Sequence, residues 1–266
     1  MKYFLGKWRG IGFLLIIVFL MAPMAAVGVG SFSSTPYVQI PPEVPSIRWY
    51  ELAMSDPRWR AGFATSMTIA SIVALISTLS SSLMIFAMEA ADWSRRRQNI
   101  VALVIAIPLI VPQVSLGISM MALARTFSIG GSYVAIVVAH LIVVVPYTFI
   151  PIMGAFRSLN PQLMKAAMSL GAGPGLAFLK VVLPCLAPGL LAGFLLAFLT
   201  SFDEITISLF LVGPGIDLLP VKVMMEVQNN DSPIVAAVSV IIITIMLVFL
   251  SGISRAVGLK FLYNKS

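Results

Sequence analysis

Residues 160–184 read NPQLMKAAMSLGAGPGLAFLKVVLP and separate two long apolar runs of the chain. Asn160 is a favourable N-cap residue and Pro161 fits the first position of a helix, so a short helix is predicted to begin there. Gly171 and the GPG sequence at 173–175 are expected to end it. At helical spacing the segment has one apolar face, which is formed by Leu163, Ala166, Ala167 and Leu170.

The composition of the whole chain indicates an integral membrane protein. Of its 266 residues, 59% are hydrophobic and 10% are charged, and the mean hydropathy is +1.03. A soluble domain has about 25% charged residues, and a disordered chain has a much lower apolar content. The net charge is +7, but the basic residues do not form the face with aromatic platforms that is typical of nucleic-acid binding. No nucleic-acid partner is therefore expected.

Six stretches without Asp, Glu, Lys or Arg are long enough to hold a transmembrane helix of about 20 residues. They predict an all-α membrane protein in which residues 1–266 form a single transmembrane domain. Prolines in the third and fourth stretches would kink those helices; they are Pro108, Pro112, Pro146 and Pro151. The predicted spans are 11–29, 62–88, 100–124, 131–156, 184–211 and 233–254.

The orientation follows from the basic residues, which are enriched in cytoplasmic loops. Most of the 17 Lys and Arg residues lie on the inner side if the N-terminus is cytoplasmic. Both termini are then expected to be cytoplasmic, and residues 157–183 form a cytoplasmic loop. The apolar run 11–29 follows a basic segment, and its length favours an uncleaved signal-anchor over a cleaved signal peptide.

The cytoplasmic loop resembles the motif of type I ABC importer permeases, which reads Glu-Ala-Ala, three residues, Gly, nine residues, Ile, one residue, Leu-Pro. The matching residues of this chain are Lys165, Ala166, Ala167, Gly171, Val181, Leu183 and Pro184. The resemblance implies that residues 157–183 are a coupling loop, whose helix docks into a separate ATPase subunit through this motif and Leu170. Lys165 departs from the family pattern, because a Glu usually stands there. The charge at that contact would therefore be reversed.

Further segments resemble the spermidine/putrescine branch of this family. They are SIRWY at 46–50, IPLIVP at 107–112, SFDEI at 201–205, LPV at 219–221 and SP at 232–233. The resemblance implies a multi-pass permease of the bacterial inner (plasma) membrane for a small cationic amine, such as spermidine or putrescine, with another small organic solute as the alternative. Its implied partners are a second, homologous permease, a cytoplasmic ATPase dimer, a periplasmic or extracellular substrate-binding protein and membrane lipid. The ATPase would bind ATP and Mg, and this chain would bind no cofactor.

Asp203 and Glu204 are the acidic pair inside a predicted span, where a carboxylate is costly and has to face the protein or water. On a regular helix Glu204 would lie on a stripe of small residues that favours close helix packing. Two roles stay open for the pair. Together with Ser201 the carboxylates could line the translocation pathway and attract a cation, or they could pair with an Arg or the backbone and lock the helix. The stripe consists of Gly189, Gly193, Ala197 and Ser201.

Other residues of the spans are given packing roles. His140 is interpreted as a polar group satisfied between helices, because a proton relay would need an acidic partner in its span. Residues 31–60 form the predicted loop on the outer side of the membrane. Its aromatic residues indicate either interfacial anchors or a docking surface for an outside partner; they are Trp49, Tyr50 and Trp59. A second small-residue stripe, also predicted to pack helices, consists of Ser66, Ala70, Ala74, Ser77 and Ser81.

No enzymatic chemistry is expected of this chain. It has no Gly-Lys followed by Ser or Thr, which a phosphate-cradling loop requires, and its single His and single Cys favour no metal site. Two rival functions are an ion-coupled secondary transporter, which would need mid-membrane coupling residues and internal repeats, and a membrane enzyme, which would need convergent His, Asp or Glu side chains. Neither rival needs the amphipathic helix of the coupling loop.

Overall fold

The computed structural model describes residues 2–229 and 232–256, and every regular element within them is a helix. The prediction of an all-α protein is confirmed for this part of the chain. The described residues group into two compact units, one formed by residues 61–222 and the other by the residues up to 60 and from 223 onward. The elements are α1 (Lys2–Gly30), α2 (Arg48–Ser55), α3 (Pro57–Ala90), α4 (Arg95–Ala106) with a 3-10 turn (Ile107–Leu109), α5 (Gln113–Thr126), α6 (Tyr133–Ser158), α7 (Gln162–Ser169), α8 (Pro174–Ala177) with a π-helical turn (Phe178–Val182), α9 (Leu183–Cys185), α10 (Ala187–Phe202), α11 (Thr206–Leu211), α12 (Leu219–Asn229) and α13 (Ile234–Ala256).

Three helical segments are long and apolar enough to cross a membrane without a break: Gly12–Gly30 of α1, the whole of α3 and the whole of α6. Two further candidates are bent pairs of helices, so the described residues hold up to five candidate spans. α13 adds a shorter apolar stretch, Ile234–Phe249, at the position of the sixth predicted span. The chain is therefore a multi-pass membrane protein.

The predicted third span, 100–124, is not one continuous helix, and the kink predicted at Pro108 and Pro112 is a sharp bend. The chain turns by 92° between Arg95–Leu109 and Gln113–Thr126. Pro108 and Pro112 account for the break, because a proline has no N–H to donate and its ring clashes with the preceding helical turn. Pro112 becomes the N-cap of α5.

The predicted fifth span, 184–211, is also wrong as a single helix. The chain turns by 74° between Pro174–Cys185 and Ala187–Phe202, with a proline in the first turn on each side of the bend. α10 then ends at Phe202, and α11 begins at Thr206 after a turn. The expectation of a regular helix through Glu204 is therefore wrong. By contrast, α6 continues through both of its prolines.

The small-residue stripes pack helices closely in the unit of residues 61–222, as the sequence predicts. A Cβ added at Gly193 of α10 would lie 3.1 Å from the Thr148 carbonyl oxygen and 3.2 Å from the Ile152 side chain, both in α6. The stripe of α3 is buried too, and its Ser81 Oγ lies 2.8 Å from Thr148 Oγ1. α6 thus packs closely against α10 on one side and makes a polar contact with α3 on another.

In the other unit, the segment after α1 is anchored by aromatic side chains of α2. Trp49 Nε1 donates to the Ser33 carbonyl oxygen at 2.8 Å, and the hydroxyls of Ser31 and Tyr50 are 2.6 Å apart. Trp49 and Trp59 are both buried, so their side chains hold protein segments and do not form an exposed belt. The apolar side chains of α1 between Phe13 and Met21 are exposed, as expected for a lipid-facing helix.

Candidate functional site

The helix of the coupling loop forms as predicted. α7 runs from Gln162 to Ser169, and Asn160 Oδ1 accepts the Gln162 backbone N–H at 2.9 Å. Gln162 is the first residue of α7 and Pro161 occupies the N-cap position, so the Asn160 side chain satisfies a backbone N–H that has no partner within the helix. The Asn-Pro signal therefore marks the start of α7, but the helix begins at Gln162, one residue later than predicted.

Gly171 ends α7 in the left-handed region, with a φ of +92°. Its N–H donates to the Met168 carbonyl oxygen at 3.0 Å, and the N–H of Ala172 donates to the Ala167 carbonyl oxygen at 3.2 Å. These two bonds are the pattern of a Schellman motif, in which glycine is favoured because it has no Cβ. The space around Gly171 is open, so its backbone conformation is what requires a glycine.

The apolar face of α7 is divided between the protein and the solvent. Met164 is 5% exposed and belongs to the core cluster, and Leu163 and Ala167 are half-buried. Leu170 is 90% exposed and Met168 is 44% exposed. The expected single face is therefore corrected: Met164 anchors the helix, whereas Leu170 points away from the chain. Ala166 is exposed as well.

The residues after Gly171 attach the coupling loop to the membrane helices. Phe178 and Val182 are buried in the same cluster as Met164, together with Phe149 of α6 and Ile85 of α3. Leu183 packs against this cluster, while Pro184 is exposed. A displacement of α7 would consequently act directly on α3 and α6, because densely packed side chains transmit strain.

Lys165 is exposed and lines a cleft of about 150 Å³ beside α7. Glu89, Asp92 and Arg95 line the same cleft. The positive charge that replaces the family's Glu thus lines the same cleft as two carboxylates of its own chain. The spacing of the sequence did not predict this, because Glu89 lies near the end of α3 and Asp92 in the turn that follows it.

Asp203 and Glu204 both lie in the turn that joins α10 to α11, but their side chains are in different environments. Glu204 is 6% exposed, and its Oε1 accepts the Ile207 backbone N–H at 3.0 Å. Gln113 Nε2, at the start of α5, lies 3.5 Å from the second oxygen of that carboxylate. Glu204 therefore caps α11 and connects it to α5. Asp203, in contrast, has an exposed side chain.

Asp203 lines an open cleft of about 440 Å³, which we call the outer cleft. Ser201, the third residue predicted for the pathway, does not line it; its hydroxyl contacts His140 inside the protein at 2.9 Å. In the described part of the chain no three His, Cys, Asp or Glu residues are grouped as a metal site would require. The outer cleft is lined by Gln113, Leu199, Thr200, Asp203, Glu204, Ile205 and Thr206.

Comparisons with known proteins give the family of this chain. Residues 83–258 match the family described as "Binding-protein-dependent transport system inner membrane component". The putrescine transport system permease protein PotI of Escherichia coli (strain K12) is 32% identical, over 89% of this chain and 85% of the relative. The spermidine/putrescine transport system permease protein PotC of the same strain is 26% identical, over 88% and 87% respectively.

Two solved structures share the fold. A bacterial ABC transporter involved in the import of the acidic polysaccharide alginate contains a chain with a TM-score of 0.71 at 14% identity, which covers 96% of both chains. A chain in the crystal structure of a bacterial alginate ABC transporter in complex with alginate pentasaccharide-bound periplasmic protein has a TM-score of 0.71 at 12% identity. The match covers 96% of this chain and 95% of that chain. The chain thus has the overall fold of these ABC transporter chains. The chain belongs to the binding-protein-dependent transport system inner membrane components, the permease subunits of ABC importers.

Proposed function

We propose that this chain is one of two permease halves of an importer for a small cationic amine, with putrescine or spermidine as the cargo. The observation that carries the proposal is the 32% identity to a putrescine permease over 89% of the chain. The exposed carboxylate of Asp203 in the outer cleft supports it, because a carboxylate attracts a cation.

The proposed arrangement has six membrane crossings with both termini cytoplasmic, in a bacterial inner membrane. The crossings are α1, α3, the bent pair of α4 and α5, α6, the bent pair that ends with α10, and α13. The excess of basic residues in the loops assigned to the inside supports this orientation. It also supports a cytoplasmic location for α7.

In this proposal α7 docks into the ATPase subunit, which binds ATP and Mg and performs the hydrolysis. Exposed apolar side chains at a helix end are typical anchors for a groove on a partner protein. Met168 and Leu170 have this exposure. Lys165 stands on the same short helix, so a complementary ATPase surface would present acidic or neutral groups to it. A homologous permease and an external substrate-binding protein complete the proposed importer.

Asp203 is the proposed cation-binding residue of the acidic pair, and Glu204 is assigned a structural role. Both oxygens of the Glu204 carboxylate have donors within the chain, one from the backbone of α11 and one from Gln113. Asp203 combines a negative charge with access to the outer cleft. Only a group of this kind can exchange water for a passing ammonium without breaking the protein's own hydrogen bonds.

The Asp203→Asn variant is expected to raise the KM for putrescine uptake on the order of fivefold, with a smaller change in the maximal rate. The reason is the loss of one charge near the cation, which corresponds to about 1 kcal/mol at 4 Å in water. Initial uptake rates of labelled putrescine into vesicles containing the complete transporter give the measurement.

Glu204→Gln and Asp217→Asn are the matched controls. The first removes the charge of the buried carboxylate but keeps a side-chain oxygen that can accept the Ile207 N–H. Asp217 lies in the loop after α11 and does not line the outer cleft. Asp217→Asn is expected to leave the KM within twofold, whereas Glu204→Gln, at a residue that also lines the outer cleft, should raise the KM less than Asp203→Asn does. An unchanged KM in Asp203→Asn would overturn the cation-binding role of Asp203.

The importer assignment itself predicts what co-purifies with this chain. Tagged protein extracted from native membranes in mild detergent is expected to bring with it a second multi-pass permease and a soluble ATPase. The ATPase should be recovered in a ratio of about one to each permease chain. Recovery of the chain alone or as a homodimer, also after crosslinking, would contradict the importer and favour an ion-coupled transporter.

A further inference from the structure

We propose that His140 is a positioning residue for Asp203: it fixes the turn between α10 and α11 and thereby determines where the Asp203 carboxylate stands in the outer cleft. This inference rests on the proposed role of Asp203 in binding the cation. His140 itself does not line the outer cleft. It acts through two serine hydroxyls, one on each side of the turn.

The imidazole of His140 joins three helices. His140 lies in α6 and is 2% exposed. Its Nδ1 is 2.9 Å from Ser201 Oγ in α10, and its Nε2 is 3.0 Å from Ser208 Oγ in α11. A single buried side chain thus connects the end of one helix to the start of the next, across the residues that interrupt them.

The hydrogen-bond network fixes the roles of the two ring nitrogens. Ser208 Oγ donates its only proton to the Glu204 carbonyl oxygen, at 2.7 Å. It must therefore accept from His140, so the ring proton is on Nε2. In the neutral imidazole Nδ1 then has a lone pair and accepts the hydroxyl proton of Ser201. His140 is at once a donor to α11 and an acceptor from α10, which no aliphatic residue can imitate.

Asp203 stands between the two anchored points. Ser201 precedes Asp203 by two residues. Ser208 donates to the carbonyl oxygen of Glu204, the residue after Asp203. The backbone N–H of Asp203 donates to the Leu199 carbonyl oxygen at 3.1 Å. Because the Asp203 side chain is exposed, the position of its carboxylate depends on this backbone.

Thr148 offers a matched comparison on the same helix. It is fully buried, and its Oγ1 lies 2.8 Å from Ser81 Oγ and 3.2 Å from the Ser77 carbonyl oxygen, both in α3. Like His140, it makes a buried polar contact between α6 and its neighbours. Unlike those of His140, the hydrogen-bond partners of its hydroxyl lie in α3 and α6 and not in α10 or α11.

The first test compares His140→Leu, His140→Gln and Thr148→Val in the complete transporter. His140→Leu is expected to raise the KM for putrescine about fivefold, since the carboxylate is displaced. His140→Gln should stay within about twofold of the original KM, because an amide supplies one donor and one acceptor. Thr148→Val should leave the KM unchanged. Equal KM values for His140→Leu and Thr148→Val, or no rescue by Gln, would overturn the proposal.

The second test does not depend on the cargo. Cys185 is the only cysteine of the chain, so Cys185→Ser gives a background in which Asp203→Cys introduces a single thiol. The measured quantity is the reaction rate of this thiol with a neutral methanethiosulfonate reagent. Adding His140→Leu is expected to change this rate at least threefold, and adding Thr148→Val should not change it. An unchanged rate with His140→Leu would contradict the positioning role.

The two tests separate the positioning role from the proposed function. If Asp203→Asn has a normal KM, the cation-binding role of Asp203 fails, yet the thiol reaction rates still report on the turn. If Asp203→Asn raises the KM but His140→Leu changes neither the KM nor the thiol rate, the failure belongs to His140 alone.

Discussion

The Gly171→Val variant is expected to lose at least nine-tenths of its uptake while the transporter still assembles. A residue with a Cβ is strained at a φ of +92°, and a β-branched residue is a genuine outlier there. The last turn of α7 would unwind to relieve this strain, which moves Met168 and Leu170. ATP hydrolysis should then continue without stimulation by the loaded binding protein. Uptake and hydrolysis are measured on the same vesicles.

Gly173→Val is the matched control for this variant. Gly173 also has open space around it, but its φ is −63° and its ψ is 158°. A residue before a proline prefers this extended region, so valine should be accepted there with nearly normal uptake. Similar uptake in the two variants would contradict the role assigned to the end of α7.

The Gly193→Leu variant is expected to destabilise the fold strongly. The Cβ position at Gly193 faces the backbone of α6, and the Thr148 carbonyl oxygen, 3.1 Å away, cannot rotate aside as a side chain can. Overpacking typically costs about 1–3 kcal/mol, and more where backbone must move. The amount of monodisperse protein extracted in detergent should fall severalfold, and its melting temperature should drop.

Gly154→Leu tests whether any leucine in the membrane region has this effect. Gly154 lies on α6, and no atom lies within 4 Å of its Cβ position. Its yield and melting temperature should stay close to those of the original protein. A comparable loss in both variants would mean that the close approach of α10 to α6 is not the cause.

Much of the helical packing follows from sequence because its cause is local. Small residues at spacings of three and four identify the contact faces of α3 and α10, and both faces are buried. The start of α7 after Asn160 and Pro161 and its stop at Gly171 depend on single residues with known backbone preferences. Such features can be read without knowledge of the remaining chain.

The sequence predicted a kink at Pro108 and Pro112 in the third span, but neither the size of that bend nor the break in the fifth span could be predicted, for a physical reason. Apolar length predicts that a segment enters the membrane, but it does not indicate whether the segment stays straight. Prolines occur both at the 92° bend and inside the continuous helix α6, so their presence alone does not decide. The outcome depends on whether neighbouring helices satisfy the freed backbone groups.

The different environments of Asp203 and Glu204 could not be predicted either. On a regular helix, the position of each residue around the helix axis would predict whether its side chain faces the protein. The end of α10 at Phe202 replaces that geometry with a turn, in which Glu204 folds back to cap α11. The partners of His140 were equally hidden, because Ser201 and Ser208 lie more than 60 residues away in sequence.

The prolines at the two bends affect how readily the chain can bend inside lipid. Bending a straight helix in hydrocarbon strands amide protons without acceptors, at several kcal/mol for each group. At Pro108, Pro112, Pro184 and Pro188 no such proton exists. Each of the two bends therefore leaves fewer amide donors to be satisfied in the bilayer than a bend of the same angle without prolines would.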